Sequence, residues 1–342
     1  MHAGCFHRFA AAYPVLIGVG IAAALAGSAE GANMQRPPSD VSDSDPAIGG
    51  FVADPNSPQS AQPPASGAPS ASPGPFEGSG EGLDGSPSAG LPWLWQWLPD
   101  GLIWRSYLAG VQESRLGLIM SDSSRFGTIW DTTLGGRVSL LRYGTPTAYR
   151  PEGWEVQFEG AAFPRLQPLE FSWPIVSTDF RVGVPVVYAH GPWQFKTGYH
   201  HISAHLGDEF MILNPTATRI NYMRDSLMLA VGYFYTENLR LFAEADYAFG
   251  CDGGARPWEF QLGADFSPAV RGGAPFAAVY GNLRQELDFG GFFVVQGGWQ
   301  VRGGPALRTF RVGVEYVNGA STQYEFFNNF EQRTGVGIWY DY

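Results

Sequence analysis

Three of the six histidines of this chain fall in one stretch, WQFKTGYHHISAHLGDEF at 193–210. His201 and Ser203 stand two apart there. On an extended strand successive side chains alternate between faces, so these two leave on the same side. An imidazole beside a hydroxyl is the pairing that activates a serine: the ring takes the proton as the oxygen attacks a carbonyl. A third group must then orient the ring. Asn214, Asn221 and Glu244, on neighbouring segments, are the candidates for that third role. His205, Asp208 and Glu209 follow closely and have three readings. They could contact substrate. They could join His201 in a hydrogen-bonded network that orders the loop over 204–225. Their carboxylates and imidazole could also hold a hard cation such as calcium, although neither an EF-hand spacing nor a His-Glu-x-x-His pattern occurs. Otherwise the sequence implies no cofactor. Glycine pairs such as Gly135-Gly136 and Gly297-Gly298 read as strand bends, not phosphate loops.

The stretch that carries these residues has the period of a strand. Trp193, Phe195, Thr197 and Tyr199 share the face of His201 and Ser203, and Gln194, Lys196, Gly198 and His200 take the other. The same alternation recurs near 102–109, 130–142, 154–163, 177–188, 226–235, 239–249, 258–266, 275–284, 291–301, 307–317 and 336–342. In each clear case one face is apolar and the other charged. Leu239, Leu241, Ala243, Ala245, Tyr247 and Phe249 oppose Arg240, Phe242, Glu244, Asp246 and Ala248. Phe310, Val312 and Val314 oppose Arg311 and Glu315. Trp154, Val156 and Phe158 oppose Glu155, Gln157 and Glu159. In a transmembrane barrel the first set faces lipid and the second the lumen.

Short turns over 189–192, 236–238 and 303–305 alternate with longer links over 164–176, 204–225, 250–257, 285–290 and 318–335. The link over 266–274 goes with the short turns by parity. These features predict an all-β, antiparallel transmembrane β-barrel of about 12 strands, short turns on one rim and long loops on the other. Closure also removes the exposed edges of an open sheet. Counting back from the last strand runs 193–203 outward. His201 and Ser203 then lie near its outer end, on the lipid side.

Composition agrees. Charged residues are 15% of the chain and aromatic residues also 15%, with 45 glycines. Soluble domains carry about 25% charged residues. A secreted β-sandwich is the soluble competitor. The net charge is -11, and residues 30–90 hold eight acids against Arg36 alone. A basic face that would select nucleic acid is absent from this pattern. Residues 1–29 read as a signal peptide, with Arg8, an apolar core AAYPVLIGVGIAAALAG and a small-residue stop at Gly27-Ser28-Ala29. Cys5 falls in that leader, so Cys5 and Cys251 imply no cysteine-based metal site. Residues 30–90, rich in Pro, Ser and Gly, read as a disordered linker in the periplasm. The barrel domain is expected over 91–342. It opens on LPWLWQWLPDGLIW, whose tryptophans suit a membrane–water interface. It closes on a strand whose Gly337, Tyr340 and Tyr342 resemble the signal read by the outer-membrane insertion machinery. That machinery and outer-membrane lipids are the expected partners.

Several pieces resemble a bacterial domain-of-unknown-function family, number 1207. They are LPDGLIWRSYLAGVQESRLG at 98–117, DTTLGGRVSLLRYG at 131–144, STDFRVGVPVVYAHGPWQFKTGYHHISAHLGDEF at 177–210 and RINY at 219–222. The resemblance implies an outer-membrane β-barrel and no established activity. This chain has Ala204 where the family tends toward Ser. Separately, His201-x-Ser203 is similar to the His-x-Ser of outer-membrane phospholipases and lipid A deacylases. Those follow the serine with Asn, where Ala204 and His205 stand here. Two functions follow as expectations: a structural barrel or small-solute channel, and alternatively a lipid acyl-ester hydrolase with Ser203 as nucleophile and His201 as general base.

Overall fold

A computed structural model describes residues 91–304 and 306–342. The leader expected over 1–29 and the linker over 30–90 lie outside the described residues, as does Pro305. The strands are β1 (Leu94–Trp97), β2 (Leu116–Ser123), β3 (Gly127–Gly144), β4 (Gly153–Leu166), β5 (Ile175–His190), β6 (Trp193–Leu206), β7 (Met223–Thr236), β8 (Leu239–Asp252), β9 (Trp258–Phe266), β10 (Gly272–Arg284), β11 (Gly290–Gly303), β12 (Arg308–Ala320) and β13 (Phe330–Asp341), with one short helix, α1 (Asp208–Leu213). From β2 to β13 each strand pairs antiparallel with the next. β13 then pairs with β2, from Tyr340 opposite Leu116 to Arg333 opposite Ser123. Twelve strands therefore form a closed ring. The short β1 lies alongside β3 beyond the end of β2, with Trp97 opposite Leu141.

The expected strand over 102–109 is not one; β2 takes its place in the ring. Leu102, Ile103 and Trp104 are apolar in succession, as are Tyr107, Leu108 and Ala109, and all six are buried. A barrel strand needs one lipid face and one lumen face, and this run offers apolar groups to both. It is instead packed inside the barrel.

The outer surface carries the apolar set. Trp154, Leu229, Val279, Trp299, Val312 and Val314 are all exposed. Outward aromatics gather at both ends: Trp95, Trp193 and Phe266 near the short turns, and Tyr247, Phe249 and Trp258 near the long loops. Two such girdles bracket the apolar band of a membrane barrel. The polar set points in. Arg142, Glu155, Arg181, Lys196, Arg224, Asp246 and Arg311 are buried.

Buried charges are tolerated when paired, and unsatisfied backbone in a dry interior is costly. Bonds of both kinds hold the inner segment over 98–115. Ile103 N–H donates to Glu155 Oε1 (3.1 Å). Leu108 N–H donates to Asp265 Oδ1 (3.1 Å). Gln194 Nε2 donates to the Ile103 carbonyl (2.6 Å), and Gln157 Nε2 to that of Trp104 (3.2 Å). The Tyr107 hydroxyl donates to Glu244 (2.5 Å), which also receives Lys196 (2.7 Å). Arg137 bridges Glu113 of the segment and Glu159 of β4.

The opposite end is capped as well. Residues 321–327 are buried. Tyr324 N–H donates to Asp179 Oδ2 (3.1 Å), and its ring stacks on Tyr222 at 4.6 Å. Glu325 accepts from Ile220 N–H (2.9 Å) and Asn221 N–H (3.1 Å). Side chains and these two segments fill the lumen between them.

Candidate functional site

β6 sorts the focal stretch into two environments. Gln194, Lys196 and His200 point into the lumen and are buried, whereas Trp193, Phe195 and Tyr199 are exposed on the outer face. His201 and Ser203 share that outer phase, within the last six residues of β6 toward the long-loop rim. Gly198 sets the local path of the strand. Its φ is +143°, and a Cβ there would lie 2.4 Å from the Val184 carbonyl oxygen of β5. A side chain would therefore push β5 and β6 apart just before the histidines.

The carboxylate placed to orient the His201 ring is Asp225. It sits opposite His201 on β7, where the register shifts between Asp225 and Ser226. Its Oδ1 lies 2.9 Å from His201 Nδ1. An ionised carboxylate only accepts, so Nδ1 carries the hydrogen and Nε2 is left as the basic nitrogen. The Tyr199 hydroxyl donates to the same Oδ1 (2.6 Å). On the far side, a Cβ at Gly250 would lie 3.1 Å from Asp225 Oδ2, so the glycine leaves room for the carboxylate. The His201 and Asp225 side chains are 32% and 27% exposed, among the outward Val182, Leu227 and Phe249.

Ser203 lies between Phe180 of β5 and Met223 of β7. Among the described residues no hydrogen bond joins it to His201. Such a bond often tightens only when substrate is bound.

Among the described residues, none of the three orienting residues expected from sequence bonds to His201. Glu244 faces the lumen with Lys196 and Tyr107. The Asn214 side chain donates to the Phe210 carbonyl at the end of α1 (2.9 Å). Asn221 holds a positive φ of 53° in the loop, where its N–H meets Glu325. The available signal for Asp225 was phase: it alternates with Leu227 and Leu229 as a single carboxylate on an apolar face. It falls just before 226, where the clean alternation begins.

His205, Asp208 and Glu209 do not converge. His205 is exposed, its ring 5.9 Å from that of Phe180. Asp208 pairs with Arg219 (3.3 Å), and Glu209 is exposed at the start of α1. Arg219 also reaches the Leu206 carbonyl (3.5 Å), so Asp208 helps tie the loop. Among the described residues no three His, Cys, Asp or Glu side chains are arranged to hold a metal ion.

A closed ring with an apolar exterior, a charged interior and a filled lumen defines an outer-membrane-type β-barrel. The chain matches the family described as "Protein of unknown function (DUF1207)" over residues 127–342, well over half its length, and belongs to that family. The piece over 98–117 lies outside that match. No curated protein matches the chain. Among solved structures it is similar to the outer membrane phospholipase A of Escherichia coli, with 11% identity, a TM-score of 0.46, and 66% of this chain and 92% of that one covered. It is similar also to the Salmonella typhi outer membrane phospholipase dimer with bound calcium, at 13% identity and a TM-score of 0.47, covering 66% and 90%.

Proposed function

We propose that this protein is an acyl-ester hydrolase that acts on membrane lipids at the outer surface of the barrel, near the long-loop rim. The observation that carries the reading is the Asp225 carboxylate on Nδ1 of His201, on the strand face that presents Ser203 two residues further on. Ser203 Oγ attacks the ester carbonyl and His201 Nε2 takes its proton. The same imidazolium then gives that proton to the leaving alcohol, and water releases the acyl group from Ser203 by the reverse sequence. Asp225 keeps the tautomer and steadies the positive ring.

The location fits the substrate class. Charge on the lipid face of a barrel is destabilising by a few kcal/mol at mid-membrane and by roughly 0–1 kcal/mol near the interface. The third residue of β7 is where an aspartate is cheapest to hold, and where an ester at the acyl–headgroup boundary would lie. In this reading the long-loop rim faces outward and the linker lies in the periplasm. Outer-membrane lipids are the substrates, and the insertion machinery reads the last strand. Calcium at His205, Asp208 and Glu209 is not part of it, because these three side chains do not converge. The filled lumen favours a non-conducting barrel over a solute channel.

The test is acyl release from phospholipid and lipid A vesicles by the purified full-length protein and its Ser203→Ala variant. Wild type is expected to release fatty acid and the variant none, with both folded to the same extent. Equal release by the two, or none by either on both lipids, removes the hydrolase reading and leaves a structural barrel.

A further inference from the structure

At the short-turn rim, away from Ser203, a cleft of about 70 Å³ opens between the inner segment and the barrel wall. Arg105, Arg150, Arg240 and Arg302 line it, with Asp265 and Glu237 the carboxylates. Arg240 and Asp265 neutralise each other at 2.6 Å. Among the described residues, Arg105, Arg150 and Arg302 have no carboxylate partner within ion-pair distance. They are held by neutral groups instead. Arg105 donates to the Ala306 carbonyl (2.8 Å) and lies over the Tyr149 ring (5.2 Å). Arg302 donates to Ser267 Oγ (2.5 Å) and has a buried Nε without a partner among the described residues. Arg150 stacks on Phe234 at 4.0 Å. Burial, with Arg302 and Arg240 nearby, lowers Arg105 to about 10.

Asp341 also attracts Arg105 and Arg302 but is already paired with Arg115 and Arg311, so three guanidinium groups around one cleft, against the carboxylate of Glu237, leave two positive charges without a carboxylate of their own. Elsewhere in this lumen the arginines Arg137, Arg142, Arg165, Arg181 and Arg333 are matched to carboxylates. We infer that the cleft bounded by Arg105, Arg150 and Arg302 binds a phosphate dianion, as a free phosphate monoester or as a lipid headgroup. Guanidinium forks match phosphate oxygens in pairs, and two charges meet two. This site is separate from the Ser203 surface and does not depend on the hydrolase reading.

Isothermal titration of the full-length protein in non-ionic detergent, with inorganic phosphate and with glycerol 3-phosphate, tests it. Saturable binding is expected. It should weaken at least about tenfold in Arg150→Gln, which leaves the inner segment untouched, and in Arg302→Gln, and stay unchanged in Arg219→Gln at the opposite rim. Micelles doped with phosphatidic acid form the second arm. Tighter binding there assigns a headgroup, and weaker or equal binding assigns free phosphate. No saturable binding in either arm, or binding equal in wild type and both cleft variants, overturns the inference.

Discussion

His201 has two ring nitrogens, and the proposed hydrolysis needs them unequal. Asp225 makes them so by accepting from Nδ1. Asp225→Asn keeps the shape and removes the charge, and its amide can donate to Nδ1 and turn the tautomer round. Acyl release by this variant is expected to fall roughly 10²–10⁴-fold in kcat, with little change in thermal midpoint. A fall in stability with unchanged kcat would make Asp225 a structural residue. The His-x-Ser pair was legible in sequence because period 2 alone places both side chains on one face. The partner was not, because contact across β6 and β7 depends on the register, and a loop of undetermined length separates the two strands. Glu244 fails as a partner for a different reason, phase: its neighbours Arg240 and Asp246 mark the charged face.

Strand positions were readable wherever one face was charged and the other apolar, as in β8 and β12. They were not readable over 102–109, where an apolar run served an interior that sequence does not announce. Close packing of β5 on β6 is set at Gly198, whose positive φ and contact with the Val184 oxygen admit no side chain. Gly198→Ala is expected to cost about 1–3 kcal/mol, read as a lower midpoint in denaturant unfolding from detergent. An unchanged midpoint would mean the strand path is freer than drawn. The inner segment is held by directional bonds, so Tyr107→Phe, which takes the donor from buried Glu244, should lower stability by about 1–3 kcal/mol in the same assay. No change would show that Lys196 alone satisfies that carboxylate.

For the molecule as a whole, closure was foreseeable from alternation and turn parity, but a filled lumen was not. Twelve strands leave room that either water or protein could occupy. Here residues 98–115 and 321–327 occupy it, bonded to β4, β5, β6 and β8. In planar bilayers the intact protein is expected to conduct no ions. A variant that begins at Leu116 and carries a glycine-serine linker in place of residues 321–327 keeps all twelve ring strands, and should show discrete openings. Steady conductance by the intact protein would contradict the filled lumen. Both properties serve the proposed reading: a closed, filled barrel whose proposed chemistry lies on the outside.

The most direct test of that reading requires no knowledge of the substrate. An activated serine reacts with a fluorophosphonate and an ordinary one does not. Treatment of the folded protein, followed by peptide mass spectrometry, should find the adduct on Ser203. It should be lost in His201→Gln and strongly slowed in Asp225→Asn. A protein that stays unlabelled, or a label on Ser203 indifferent to both substitutions, would contradict the account.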